Sequence, residues 1–301
     1  MNDDGTAKYE DSMMAYLTSR VSRAQALKAA GVALAAAAIP HSAGAEGSPN
    51  TGRFEAPFFP QITSGTYTTE TVKQIMDVAL TAEHLAITFL TKAINNADAI
   101  GLTSTPKDQP GLFLKVIQAQ LTEELLHAQF LEAAGKPLGV APLTNTFTPD
   151  PASYSALIPF FKTVEIADTI FVAAYETATR EFAEMGQPTL AKYSYQIGAV
   201  EAEHRVFART ALALSGVGTA VPPNNKAFET DLFLYVEDAA KTLVGLGVIG
   251  HPTRPQLTYP GDAAALAAAG EIGQMVIQRS PNNATTSITP SPTNVLGQRS
   301  S

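Results

Sequence analysis

The chain has 301 residues, of which 20 are basic and 28 are acidic, so its formal net charge is −8. A composition of 45% hydrophobic and 16% charged residues is typical of a globular protein, because disordered chains are poorer in apolar residues. The absence of cysteine excludes disulfides, thiolate metal sites, iron–sulfur clusters and a cysteine nucleophile. The acidic balance argues against a nucleic-acid partner. Metal or acid–base chemistry must therefore rest on carboxylates and on five histidines.

Residues 1–45 have the pattern of an export signal. Basic residues precede an alanine-rich apolar run at 29–40, which is too short to cross a bilayer, and a small-x-small cleavage pattern follows at 43–45. The stretch 22–28 resembles a twin-arginine export motif in which Ala24 replaces the second arginine. We therefore predict an exported protein, periplasmic or extracellular, with an ordinary amphipathic surface helix as the alternative reading of this segment.

Apolar residues that recur at steps of three and four predict four long helices in the middle of the chain. The helices cover about 71–99, 111–134, 156 or 159 to 185, and 189–214, and a Pro- and Thr-rich crossover separates the first pair from the second. Two helical hairpins joined by a longer connection are typical of a four-helix bundle with one crossover. We therefore predict an all-α fold, with this bundle over residues 70–216.

The segments around the bundle differ in composition. Residues 46–69 are rich in Gly, Pro, Ser and Thr and predict an extended lead-in. A C-terminal helical extension is predicted over 217–279, with helices at about 229–246 and 262–278, and a disordered tail over 280–301. No apolar run after the signal is long enough to span a bilayer, so we expect no integral membrane segment in the mature chain.

Two of the predicted helices place a glutamate and a histidine on their apolar stripes. In the second helix these are Glu124 and His127, and in the fourth they are Glu201 and His204. Each pair has the spacing Glu-x-x-His, and side chains three residues apart project from the same face of a helix. A buried carboxylate needs a compensating partner, and a divalent metal compensates the carboxylate and the imidazole together.

The other two helices each offer one carboxylate. Glu83 lies beside inward-facing alanines of the first helix, and Asp168 falls on the apolar stripe of the third. Two helices with one carboxylate each and two with Glu-x-x-His form the ligand set of a dimetal site inside a bundle. Oxygen and imidazole ligands around two metals suit iron or manganese, whereas zinc favours four-coordinate sites. The predicted metal ligands are Glu83, Glu124, His127, Asp168, Glu201 and His204.

The stretches 82–90, 124–131, 173–175 and 200–204 resemble the ferritin-like superfamily. They resemble in particular the branch of exported ferritin-like domain proteins that includes bacterial desiccation-related proteins and fungal relatives. The resemblance covers about 70–216. It implies a ferritin-like bundle, a cofactor of two iron or manganese ions, and chemistry with dioxygen or peroxide.

One position departs from the pattern of that family. Dimetal ferritin-like proteins usually have a glutamate as the ligand from the third helix, whereas the best-phased residue here is Asp168. Its shorter side chain suits a terminal position better than a bridging one. Glu165 and Glu176 flank the stripe and are the alternative ligands, with a solvated edge as their other interpretation.

For four residues close to the predicted ligands, the sequence pattern indicates a role in the site less clearly. Tyr175 lies two turns after Asp168 on the same stripe and can hydrogen-bond a ligand, although core packing alone also explains it. His84 points about 100° away from Glu83 and is expected at an interface or behind a ligand. We expect Glu123 and Glu203 to face solvent.

The site favours a redox enzyme with dioxygen or peroxide as its small-molecule substrate, of an oxidase, peroxidase or catalase-like type. The alternative is a non-catalytic envelope protein that protects against stress or desiccation. Iron storage fits less well, because the residues after the bundle would have to be accommodated in a cage. The apolar outer faces leave room for a homodimer.

Overall fold

The part of the chain that the computed structural model describes, residues 68, 70–217 and 228–280, is mostly helical. The helices are α1 (Val72–Asn95), α2 (Ala97–Ile100), α3 (Leu112–Gly135), α4 (Leu157–Glu184), α5 (Pro188–Leu214), α6 (Val236–Gly245) and α7 (Asp262–Arg279). This confirms the predicted all-α bundle with extra C-terminal helices. The predicted export signal, most of the lead-in and the tail beyond Ser280 lie outside the described residues.

Local sequence signals explain where the bundle helices begin and end. Thr71 caps α1: its side chain accepts a hydrogen bond from the Gln74 amide at 3.2 Å, and Gln74 accepts one from the Thr71 amide at 2.9 Å. Gly186, at φ 69°, provides the left-handed residue of the tight turn after α4. Pro188 then opens α5 at a position where a missing amide hydrogen is tolerated.

The long helices pair as two hairpins, α1 with α3 and α4 with α5, and the crossover runs along α1. The amide of Leu143 donates to the Thr81 hydroxyl at 2.8 Å, and Nδ1 of His84 donates to the side-chain oxygen of Asn145 at 2.7 Å. Both α1 residues are buried. The polar side chains on this face of α1 therefore form hydrogen bonds with the crossover and not with solvent.

Short strands and α7 cover the outside of the α1–α3 hairpin. β1 (Thr146–Phe147) pairs antiparallel with β2 (Leu257–Thr258), and α7 packs against α3. A Cβ on Gly273 would lie 2.8 Å from the Thr122 hydroxyl, so glycine allows this close approach. Within the described ranges, none of the helices combines the length and apolar character needed to cross a bilayer.

One end of the bundle is an aromatic core. Phe113, Phe161 and Phe207, from α3, α4 and α5, pack edge-to-face with ring centroids 5.4–5.5 Å apart. Phe161 is fully buried. Edge-to-face packing favours contact between the negative face of one ring and the positive edge of the next. This apolar end leaves the polar side chains of the bundle interior in the layers nearer its middle.

The sequence predicts a helix over 229–246, but α6 begins only at Val236 and is therefore shorter. The carboxylates of Glu70 and Glu181 accept hydrogen bonds from the Val236 amide at 2.7 and 3.2 Å, and Glu70 also accepts one from the Glu237 amide at 3.0 Å. Amides of a first helical turn have no partner within their own helix, so these carboxylates satisfy and stabilise that end. The helix packs on α1 and α4.

Candidate metal centre

All four bundle helices direct acidic or imidazole side chains into one buried layer. Glu83, Glu124 and Glu201, from α1, α3 and α5, are each exposed by 2% or less. Together with His127 they offer one ligand atom each, and these atoms all lie within 4.8 Å of one another. The helical periodicity that puts apolar neighbours in the core also brings these groups together.

His127 is at the centre of three carboxylates. Its Nδ1 lies 3.5 Å from Oε2 of Glu83, 3.5 Å from Oε2 of Glu124 and 3.4 Å from Oε1 of Glu201. Three different helices thus surround one imidazole nitrogen with carboxylate oxygens. A metal ion bound at the meeting point of these atoms would have oxygen and nitrogen ligands from three helices.

His204 faces the same carboxylates from the other side. Its Nδ1 lies 3.2 Å from Oε1 of Glu124 and 3.5 Å from Oε2 of Glu201. Glu124 and Glu201 therefore each direct one oxygen to His127 and the other oxygen to His204. A carboxylate with its two oxygens facing two different imidazoles is suited to bridging two metal ions.

Asp168 is buried in α4, with 5% exposure, and lies outside the group of four ligand atoms within 4.8 Å. Burial raises the pKa of its carboxyl well above the usual range, and the nearby charge of His204 opposes that shift. The alternatives on the same helix are placed differently. Glu165 pairs with Arg209 at 2.8 Å, and Glu176 is exposed. Of the three, Asp168 is the carboxylate that is buried.

Several polar atoms in and beside this layer have no hydrogen-bond partner among the described residues. The contacts between the glutamates and histidines lie in the range of ion pairs but lack hydrogen-bond geometry, and buried polar groups in proteins are normally hydrogen-bonded. The unpaired atoms are Glu83 Oε2, Glu124 Oε2, His127 Nδ1, Asp168 Oδ2, both carboxylate oxygens of Glu201 and His204 Nδ1. This donor set of oxygens and imidazole nitrogens is compatible with two divalent metal ions.

The comparison with protein families agrees with this arrangement. Residues 71–214 match the family model of the ferritin-like domain. These residues are a ferritin-like domain. The match begins at the cap of α1, ends with α5 and contains all six predicted ligands. No curated protein and no solved structure matches the chain significantly. Helices α6 and α7 lie beyond the ferritin-like domain.

Burial and mutual charge shift the pKa values within the ferritin-like domain. Burial, together with the Glu124 carboxylate, raises the pKa of Glu83 well above its usual range. Burial acts in the same direction on Glu124, but the imidazoles of His127 and His204 outweigh it and lower its pKa. Burial lowers the histidine pKa values, but the surrounding carboxylates raise them well above the usual range. All of these shifts therefore arise from the burial of carboxylates and imidazoles close to one another.

Two residues next to the ligand candidates make direct contacts with them. Tyr175 donates a hydrogen bond from its phenol to Oε1 of Glu83. Nε2 of His204 donates to Oε2 of Glu123 at 2.7 Å, which directs the Nδ1 edge of the ring at the centre. The sequence predicts that Glu123 faces solvent, and its side chain is 36% exposed, but the packing of α3 against α5 also brings its carboxylate to the ring. Glu203 is exposed.

His84 lies at the interface between α1 and the segments that cover it. Its ring stacks on Tyr259 with centroids 3.8 Å apart and planes 1° from parallel. The Tyr259 hydroxyl in turn bonds Asp262 at 2.5 Å. This histidine, which directly follows the predicted ligand Glu83, faces away from the centre and attaches the crossover and the residue after β2 to the bundle.

Proposed function

We propose that the ferritin-like domain binds two iron or manganese ions and reacts with dioxygen or peroxide. The observation that carries the proposal is the set of buried carboxylate and imidazole atoms that face one another without hydrogen bonds. Such groups cost free energy when they are left unpaired, and bound cations would compensate that cost. The carboxylates and histidines are also the ligand types of dimetal sites in helical bundles.

The geometry supports two metal positions. His127 and Glu83 would hold one ion and His204 and Asp168 the other, while Glu124 and Glu201 each direct one oxygen to either histidine. Asp168 then needs to bind one ion only, which its shorter side chain allows. Each position would be completed by small molecules from solvent, as in sites that keep an open coordination position for chemistry.

Two bound divalent ions would supply one electron each, which with two protons reduce one dioxygen to hydrogen peroxide or one peroxide to two waters. Residues of the chain itself carry protons near the site and keep the ligand side chains in position. Glu123 fixes the orientation of the His204 ring through its 2.7 Å contact. Tyr175 keeps one oxygen of Glu83 occupied, so that the other faces His127.

The cellular setting is a proposal from the sequence pattern alone. Residues 1–45, which carry the predicted export signal, lie outside the described residues. We propose an exported protein, periplasmic or extracellular, of the desiccation-related branch. Dioxygen or peroxide detoxification would suit such a location, and a homodimer remains our expectation for its assembly.

Reconstitution of the full chain tests the function. The protein is loaded anaerobically with ferrous iron or with manganese, bound metal is measured, and dioxygen or peroxide is then added. We expect about two ions per chain and oxidation of the bound metal at the expense of the added oxidant. A Glu124→Ala, His204→Ala double variant should bind little metal, and a Glu203→Ala, Glu165→Ala double variant is its control. Metal bound without any turnover would support the non-catalytic protective role instead.

A further inference from the structure

Two small cavities flank Tyr175 where α1 and α4 meet. Each has a volume of about 20 Å³, enough for one molecule of about the size of water. The outer cavity lies between α1, α4 and α6, and the inner cavity lies between the four bundle helices. Ala79, Tyr175 and Ala178 line both of them. The two cavities therefore share a wall that consists of two methyl groups and one aromatic ring.

The walls of these cavities suit an apolar occupant. Among the described residues, Tyr175 is the only one with a polar side-chain atom that lines the outer cavity, and Ser194 joins it at the inner one. The Tyr175 hydroxyl donates to Glu83, and the Ser194 hydroxyl donates to the Tyr175 carbonyl at 2.8 Å. An ordered buried water needs two to four polar partners, which these walls do not offer. A small molecule without hydrogen-bonding needs is favoured instead.

The inner cavity lies one helical turn from the candidate metal centre. On α1, Ala79 precedes Glu83 by four residues, and on α3, Leu131 follows His127 by four. On α5, Ile197 likewise precedes Glu201 by four. Four residues of α-helix span about 6 Å along the axis. Three helices thus place the inner cavity on one side of the ligand layer, and Tyr175 spans the gap through its bond to Glu83.

We infer that these cavities are an access route for dioxygen, with the outer cavity as the entry and the inner cavity as the holding site beside the metal ligands. This inference rests on the proposed function, and it names dioxygen over peroxide as the molecule that uses the route. Dioxygen is small and apolar, whereas hydrogen peroxide donates and accepts hydrogen bonds that the cavity walls cannot satisfy.

The route gives the C-terminal extension a role. Val236, Ala239 and Leu243 of α6 cover the outer cavity, and this helix lies beyond residues 71–214 of the ferritin-like domain. Residues of the ferritin-like domain therefore line the inner side of the route, and α6 of the C-terminal extension covers its outer side. Ala79, which lines both cavities, is partly exposed to solvent, whereas Ala178 is buried.

Dissolved dioxygen is itself the probe, because it is paramagnetic and speeds the relaxation of nearby methyl groups. The full chain without added metal is labelled at alanine and isoleucine methyls and measured under raised dioxygen pressure. We expect faster relaxation at Ala178 and Ile197 than at Ala208 and Ala211, which are equally buried but line neither cavity. A water-soluble paramagnetic chelate should leave all four unaffected. Equal dioxygen effects at all four methyls would overturn the inference.

A cavity-filling variant tests the route in the iron-loaded protein. Ala178→Val adds carbon atoms at the shared wall, and we expect it to slow oxidation by dioxygen about threefold or more while oxidation by peroxide changes little. Ala211→Val is the matched control for general overpacking. Equal rates with dioxygen in these two variants would contradict the route.

The relaxation experiment and the oxidation experiment together distinguish a failure of this inference from a failure of the proposed function. If the loaded protein never reacts with dioxygen but Ala178 and Ile197 relax faster under dioxygen, the gas site stands and the proposed reaction fails. If oxidation by dioxygen is fast and neither methyl responds, the reaction stands and the route fails.

Discussion

Tyr175 donates a hydrogen bond from its phenol to one carboxylate oxygen of Glu83, across the seam between α4 and α1. Both side chains are buried, and burial, together with the Glu83 charge, raises the pKa of the phenol well above its usual value. The phenol therefore keeps its proton and holds Glu83 in one orientation. A residue that fixes a ligand in this way contributes to metal affinity without touching the metal.

Removing that hydroxyl should weaken metal binding. In Tyr175→Phe, Glu83 loses its fixed orientation, and we expect the affinity for manganese to fall about tenfold in a chelator competition. Tyr154→Phe is the matched control, because the buried Tyr154 hydroxyl has no hydrogen-bond partner among the described residues. An affinity that falls equally in both variants would show that loss of a buried hydroxyl, and not the Glu83 contact, is responsible.

The identity of the third-helix ligand can be decided by stoichiometry. Asp168 is buried and its Oδ2 has no hydrogen-bond partner among the described residues, whereas Glu165 is paired with Arg209. We expect Asp168→Ala to lower bound metal from about two ions per chain towards one, and Glu165→Ala to leave it at about two. The reverse result would assign the ligand to Glu165 and exclude Asp168.

The contact between Glu123 and His204 can be tested with two matched variants, Glu123→Gln and Glu203→Gln. Glu123→Gln replaces the charged acceptor at 2.7 Å from the ring with a neutral amide, so the ring is held less firmly and is less basic. We expect about a tenfold loss of affinity at one of the two metal positions, measured by titration with manganese. Glu203→Gln changes an exposed glutamate beside the same histidine and should bind as the parent protein does.

Because Glu70 and Glu181 lie together at the start of α6, we expect the stability of the protein to depend on pH. Burial and the neighbouring Glu181 raise the pKa of Glu70 from 4.5 to about 7. The folded state thus favours the protonated carboxyl, so the contribution to stability is complete below pH 4.5 and is lost as pH rises through 7. Between these limits we expect the free energy of unfolding to fall about 2 kcal/mol more in the parent protein than in Glu70→Gln.

Thermal or urea unfolding at several pH values measures this difference. Groups that do not interact with Glu70 titrate alike in both proteins and cancel in the comparison. Glu237→Gln, which changes an exposed carboxylate in the first turn of the same helix, should keep the full pH dependence. A Glu70→Gln protein that follows the parent at every pH would show that Glu70 does not titrate in this range.

Helical periodicity accounts for what the sequence alone could predict of the site. Glu124, His127, Glu201 and His204 fall on apolar stripes, and a stripe can be followed along one chain without knowledge of the fold. The structure brings His204 to 3.2 Å from Glu124 and 3.5 Å from Glu201. Such a meeting of side chains is expected once the four stripes face one core.

Contacts between distant segments account for what the sequence could not predict. The contact of Glu123 with His204 depends on how α3 is rotated against α5, and no stripe on either helix contains that information. The start of α6 is likewise determined by Glu70, which is 166 residues away from Val236. The break at Gly270 in α7, at φ 61° and ψ −144°, interrupts a segment that we predicted as one continuous helix.

Glu124 and Glu201 each direct one oxygen to His127 and the other to His204, and in the proposed function they would help to hold two neighbouring metal ions. Electron paramagnetic resonance of the manganese-loaded full chain measures this directly, because carboxylate bridges couple the spins of neighbouring ions. We predict about two ions per chain and the spectrum of a coupled pair, which is lost in the Glu124→Ala, His204→Ala double variant. A protein that binds no manganese or iron, or that shows only the spectrum of isolated ions, would contradict the dimetal account.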